Sequence, residues 1–233
     1  MKKLLVFLAF LGVLMEQATT FNGSANFVNE TMKDIVVYGS ARLKDSSFTA
    51  VKVYGSTTCD TVKIKGKLNV SGSCNAEHLE CQQLSISGSA HVKSIQVHGA
   101  TEFFGSCSID ASEFNKSLNV DGSCTMANTT VYGKACIFGA AHFSDCTLNS
   151  LKIACKEAYF SHTTLKDIHV AAAESSLTLF GFKIKNDTHQ TLYIEKGSVI
   201  EGDIVFEKGE GKIIVSGGSV IKGKVINGVI VQK

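Results

Sequence analysis

Along residues 35–170 apolar positions come in pairs split by one polar residue, and the pairs recur every sixteen or seventeen residues. The repeat is anchored by glycines at 39, 55, 72, 88, 105, 122 and 139. Two residues before each glycine stand Val37, Val53, Val70, Ile86, Phe103, Val120 and Ile137. Two after it come Ala41, Thr57, Cys74, Ala90, Cys107, Cys124 and Ala141. Four after it come Leu43, Cys59, Ala76, Val92, Ile109, Met126 and Phe143. A further pair follows at seven and nine, as in Val62/Ile64, Leu79/Cys81, Ile95/Val97 and Cys146/Leu148. The last pair leads into the next glycine, with Thr101 as its one polar member.

Two inward positions flanking one outward position is strand alternation, and a 3.6-residue period cannot generate it. Three such pairs per repeat give three short strands and three corners, so one repeat closes as a triangle. Fixed-period self-similarity of this length marks a solenoid. The expected fold is all-β: a single-stranded triangular parallel β-helix of about 16–17 residues per coil, with strands of successive coils about 4.8 Å apart. Glycine holds one corner throughout and a second in alternate coils, as Gly66, Gly99 and Gly133, where a sharp bend favours positive φ. After the first corner stand Ser40, Ser56, Ser73, Ser89, Ser106 and Ser123, then Ala140. Corner serines are expected to bond the local backbone.

The ends read differently. Lys2 and Lys3 followed by the apolar run Leu4–Met15 form a secretory signal peptide over 1–20, with its cleavage boundary between 18 and 25. That run is too short to span a bilayer, and no transmembrane helix is expected after cleavage. The first cysteine is Cys59, which argues against a lipid anchor. Residues 35–170 form the repetitive β-helix. Residues 171–233 are expected to continue the solenoid and cap it: alternation persists in Leu177/Leu179, Phe182/Ile184 and Leu192/Ile194. From Gly197 a second repeat appears, GSVIEGDIV at Gly197–Val205 returning as GSVIKGKVI at Gly218–Ile226.

The C-terminal run GSVIEGDIVFEKGEGKIIVSGGSVIKGKV resembles the bactofilins, the polymer-forming cytoskeletal β-helix proteins of bacteria. The likeness is clearest over Gly197–Val231 and extends by coil length and triangular form to 35–170. It implies a right-handed helix that associates end to end or edge to edge into a homo-oligomer, with neither catalysis nor nucleotide. The signal peptide departs from the usual cytoplasmic bactofilin and places this chain outside the cytoplasm, in the periplasm, at the cell surface or secreted.

Composition narrows the chemistry. The net charge is +2, and Arg42 is the one arginine among 23 basic residues, so no nucleic-acid ligand is expected. Acids are scattered singly over outward positions (Glu77, Glu80, Glu102, Asp110, Asp121, Asp145), and no catalytic, metal or cofactor motif occurs. The expectation is a non-enzyme without cofactor. His91 and His142 share a column three coils apart, too far for one metal ion. Of eight cysteines, six fall on inward columns, where they serve as small hydrophobes. Bridging the neighbours Cys107 and Cys124 would need distortion, because in-register Cβ atoms about 4.8 Å apart exceed the disulfide optimum. Outward Cys136 and corner Cys155 are the candidate reactive thiols. Just before the corner glycine, Tyr38, Tyr54, Phe104 and Phe138 form an outward aromatic column broken by Ser71, Ser87 and Asp121. That column is the candidate contact face. Two roles fit: an exported structural or assembly protein of the bacterial envelope, or a secreted or surface adhesin-like module that recognises glycan or protein through a flat face.

Overall fold

The computed structural model describes residues 18–172, 176–179, 182–185, 190–209 and 211–233. The signal peptide read over 1–20 lies almost wholly outside them. Apart from one hairpin, the described strands stack in parallel as a β-solenoid of about 12 turns. The columns pair in register: Cys107 lies between Ala90 and Cys124, and Val120 lies between Phe103 and Ile137. The solenoid starts one coil earlier than the repeat count suggested, since Thr19–Asn22 pairs with Ile35–Tyr38 and Ala25–Val28 with Ala41–Lys44.

The inward columns merge into one continuous apolar core running from Phe27 to Val215. Val37, Val53, Val70, Ile86 and Ile137 have no exposed surface at all. Each such side chain contributes roughly 1.5–3 kcal/mol of burial free energy. Neighbours above and below are of the same column, and large residues stack there too: Phe160 lies on Phe143 of the coil before, ring centroids 5.1 Å apart, while Phe103 and Phe114 are fully buried.

Three kinds of corner close the triangle. At the first, the repeat glycines from Gly39 to Gly139 take φ between 133° and 151°. They are also packed backbone on backbone: a Cβ on Gly72 would lie 2.5 Å from the carbonyl oxygen of Gly55. The serines that follow are exposed, and their hydroxyls make no hydrogen bond among the described residues; their carbonyls accept instead, as from Ala25 N (2.8 Å to Ser40 O) and Cys74 N (2.9 Å to Ser89 O). The expected serine bonding to the local backbone is therefore corrected. These hydroxyls point outward beyond the corner, away from the backbone amides.

From Asn29 to His162 the second corner carries no glycine. Asn29, Asp45, Thr61, His78, Ser94, Ala111, Asn128, Asp145 and His162 take the left-handed conformation, with φ between 47° and 58°. The residue that follows points inward, and in the later coils it is a hydroxyl or thiol. Ser112, Thr129, Thr163 and Ser198 each return a bond to a carbonyl of their own corner, such as Thr129 Oγ1 to Ala127 O at 2.6 Å. Each also accepts an amide from the coil before: Ile95 N, Ser112 N, Cys146 N and Thr163 N. An inner hydroxyl ladder thus satisfies the amides that the tight turn takes out of the strand ladder.

Gly66, Gly99 and Gly133 mark the third corner, but not for the expected reason, since none has positive φ. Each lies in a seventeen-residue coil, and the extra residue enters as a register shift between Ile64 and Lys67 or between Val131 and Lys134. What excludes a side chain is proximity: a Cβ on Gly66 would sit 2.7 Å from Thr49 O.

After Gly139 the first corner loses its glycine, and the chain lengthens there. Cys155 and Lys156 form the next turn. One coil on, the segment between Ala171 and Gln190 is inserted at the same corner. Within it Ser176–Leu179 and Phe182–Lys185 pair antiparallel as a hairpin separate from the solenoid sheet. Continuous coil was expected here, but hairpin strands and solenoid strands share the same alternation. The solenoid then resumes, and the two 21-residue repeats stack as read, with Val199 on Val220 and Ile204 on Val225.

Two measurements check this account. Gly88→Ala should cost about 2–4 kcal/mol, because it combines φ of 141° with a Cβ 2.5 Å from Gly72 O, whereas Ser89→Ala should stay within about 0.5 kcal/mol. Urea unfolding midpoints distinguish them, and equal losses would contradict the corner assignment. Thr101 is fully buried with its hydroxyl unpartnered, so Thr101→Val should raise stability by about 1 kcal/mol in the same assay.

Candidate interaction surfaces

In-register stacking decides what an outward aromatic can present. Tyr38 and Tyr54 are coil partners, and their rings stack with centroids 4.9 Å apart and planes 2° from parallel. Each ring covers a face of the other, so the pair shows solvent mainly its edges. Lys52 adds its ammonium 4.7 Å from the Tyr54 ring centroid. The register places Phe104 between Ser87 and Asp121, and Phe138 between Asp121 and Ala154, so neither meets an aromatic neighbour in its column. The four residues read as one face are therefore a stacked pair and two separate rings, all substantially exposed.

A second aromatic ladder escaped the sequence reading. His142, Tyr159 and Tyr193 stack at 4.7 and 4.5 Å with planes within 5°. The signal was there, three residues after the corner, but Lys156 replaces the glycine of that coil and the insertion breaks the count before Tyr193. Tyr159 donates to Glu157 Oε2 at 2.9 Å, which pushes its phenol up to about 12.

The insertion is anchored at its base. Gln190, buried, donates its amide to Cys155 O at 3.0 Å and Ala171 O at 2.8 Å. Glu207 accepts from the Ala172 amide at 3.0 Å, meets His169 Nε2 at 2.8 Å and lies 3.6 Å from Lys152 Nζ. His169, then the amide and Lys152, hold the Glu207 carboxyl down at about 2. On another face Glu80 joins Lys63 (2.8 Å) to His98 (3.2 Å), and Asn115 occupies the other His98 nitrogen at 3.2 Å. With both nitrogens bonded, His98 is a structural residue. His91 and His142 are exposed, and among the described residues no group of three or more metal-binding side chains converges.

The thiols fall as the columns required, with one correction. All eight cysteines are free, and Cys59, Cys74, Cys81, Cys107, Cys124 and Cys146 are buried. Cys155, expected at an exposed corner, is buried as well, because the corner lacks its glycine and Gln190 closes over it. Burial pushes Cys81 and Cys155 up to about 12 and Cys146 to about 11. Cys136 alone is partly exposed, between the fully buried Ala135 and Ile137.

Comparison with family models, curated proteins and solved structures finds no match for this chain. Among the described residues no helix is long and apolar enough to cross a membrane.

On the native protein, an alkylating reagent at neutral pH should modify Cys136 first, because the other seven thiols are buried and shielded from the reagent. Mass mapping over time reads the order. Labelling of Cys107 or Cys155 ahead of Cys136 would overturn the inside–outside assignment.

Proposed function

We propose that this chain is a non-catalytic, exported structural protein of the bacterial envelope, a rigid β-solenoid that assembles end to end. The observation that carries the reading is the edge of the last coil. In the last described strand, Gly228–Gln232 pairs with Gly211–Val215, and Ile230, in the column of the buried Ile213, is 44% exposed; Val220, Ile226 and Val229, in the outward columns of Val199, Val205 and Lys212, are 42–62% exposed. An apolar strand edge with unpaired amides and carbonyls is a template for another chain. A head-to-tail contact of this kind does not close on itself and builds an open filament. The export half of the proposal rests on the basic and apolar N-terminal segment.

A second reading, a binding module that recognises a ligand through its flat side, is favoured by Phe104 and Phe138, whose rings have no aromatic partner in their column. Assembly and side-on binding engage different surfaces and are separable by mutation.

The mature chain should show concentration-dependent growth in sedimentation velocity, with rods in electron micrographs. The double change Val229→Lys, Ile230→Lys should hold it as a monomer without altering its β-sheet circular dichroism. A wild-type chain that stays monomeric at every concentration up to the solubility limit would sink the assembly reading.

A further inference from the structure

We propose that Phe104, Asp121 and Phe138 form a clamp for an alkylammonium cation. This inference rests on the binding-module reading and is independent of end-to-end assembly. The three residues occupy one outward column, with Asp121 the in-register partner of Phe104 on one side and of Phe138 on the other. Two coil steps therefore separate the aromatic side chains, about 10 Å at roughly 4.8 Å per coil. Both rings are exposed, 52% for Phe104 and 47% for Phe138, and the exposed Asp121 stands between them in the column.

The width of that space selects the ligand's shape. A flat group stacked on both rings at contact distance would want them about 7–8 Å apart, so a guanidinium or a nucleobase leaves the clamp loose. A tetrahedral ammonium centred between the rings lies roughly 5 Å from each, inside the limit of about 6 Å for a cation over an aromatic face. The neighbouring stretch of the same column already shows such a contact within the chain, Lys52 on Tyr54 at 4.7 Å.

Charge selects the sign. Asp121 has no ion pair among the described residues. Glu102, two residues before Phe104 on the same strand and on the same outward side, has none either. Some other outward acids are paired across coils: Asp60 faces Lys44, Glu77 faces Lys93, Glu80 faces Lys63 and Glu201 faces Lys222. Between the two phenylalanines, the Asp121 carboxylate has no cation partner among the described residues. Phenylalanine lacks a polar tip of its own, so two exposed rings and an unneutralised carboxylate suit a ligand that is both apolar at its methyl groups and positive. A quaternary or alkylated ammonium has both properties.

The test is calorimetric titration of the full mature chain with choline, with its uncharged carbon isostere 3,3-dimethylbutanol and with methyl glucoside. Choline should bind saturably and the two neutral compounds should not. Phe104→Ala and Phe138→Ala should each abolish the signal, and Asp121→Asn should weaken it at least about fivefold. Tyr38→Ala, outside the clamp, should leave it unchanged, and unaltered melting temperatures confirm that each variant folds. Binding of methyl glucoside with indifference to Asp121→Asn would overturn the cation assignment while retaining a side-on binding module. Equal binding of choline and its isostere, or no binding of choline at any concentration reached, would overturn the clamp itself.

Discussion

The close approach of one coil's backbone to the next at the glycine corner is the constraint from which the rest of this structure follows. Each repeat glycine lies against the carbonyl of the glycine below it, at a distance no Cβ could occupy. From Gly39 to Gly139 that contact sets each coil directly on its predecessor, in keeping with the in-register pairing of the strands that flank it. In a parallel ladder each interior strand then has both sides of its backbone satisfied, so among the described residues the unpaired edges of the solenoid sheet are those of its first and last coils. Where the corner glycine is lost, at Cys155 and Lys156, the corner is free to lengthen. The insertion between Ala171 and Gln190 enters one coil later at the same place.

Strict register makes like stack on like, with opposite consequences inside and out. Inside, it turns cysteine into packing material: Cys107 and Cys124 are buried vertical neighbours, and the Cys124 thiol is pushed well up by its contact with Cys107 and by desolvation. Outside, it pairs rings with rings and charges with their opposites. Tyr38 with Tyr54 and Tyr159 with Tyr193 spend their faces on each other and stiffen the surface rather than offering it. An outward residue is available to a ligand where the column changes character from coil to coil. On such a surface, interruption of a column is a better mark of recognition than its continuity.

The sequence carried most of the fold because the core columns are written in residue type: aliphatics and small residues at fixed offsets, and glycine where backbone meets backbone. It failed wherever the requirement was conformational rather than compositional. The left-handed corner is filled by Asn29, Thr61, His78 and Ala111 alike, since the turn is held from inside by the following hydroxyl or by packing. Gly66 and Gly99 were legible as corners, but their cause, a nearby carbonyl rather than positive φ, required the coil beneath them. Alternation over 176–185 could not tell a hairpin from a coil, because both place every second residue on one face. The exposure expected of Cys155 failed through a partner thirty-five residues away, Gln190, that no local pattern links to it.

A rod built this way divides its surface by chemistry. The interior columns cannot change without strain in the coils above and below. The sides tolerate change residue by residue, because each outward position answers only to its own column. Among the described residues the last coil, like the first, presents its strands with one neighbour, and Ile230 there stands in the column of the buried Ile213. The interaction that holds coil to coil within the chain is therefore the same one the edge can offer to another chain, while the sides remain free to carry separate sites. That separation lets one scaffold serve in assembly and in recognition without the two competing for the same residues.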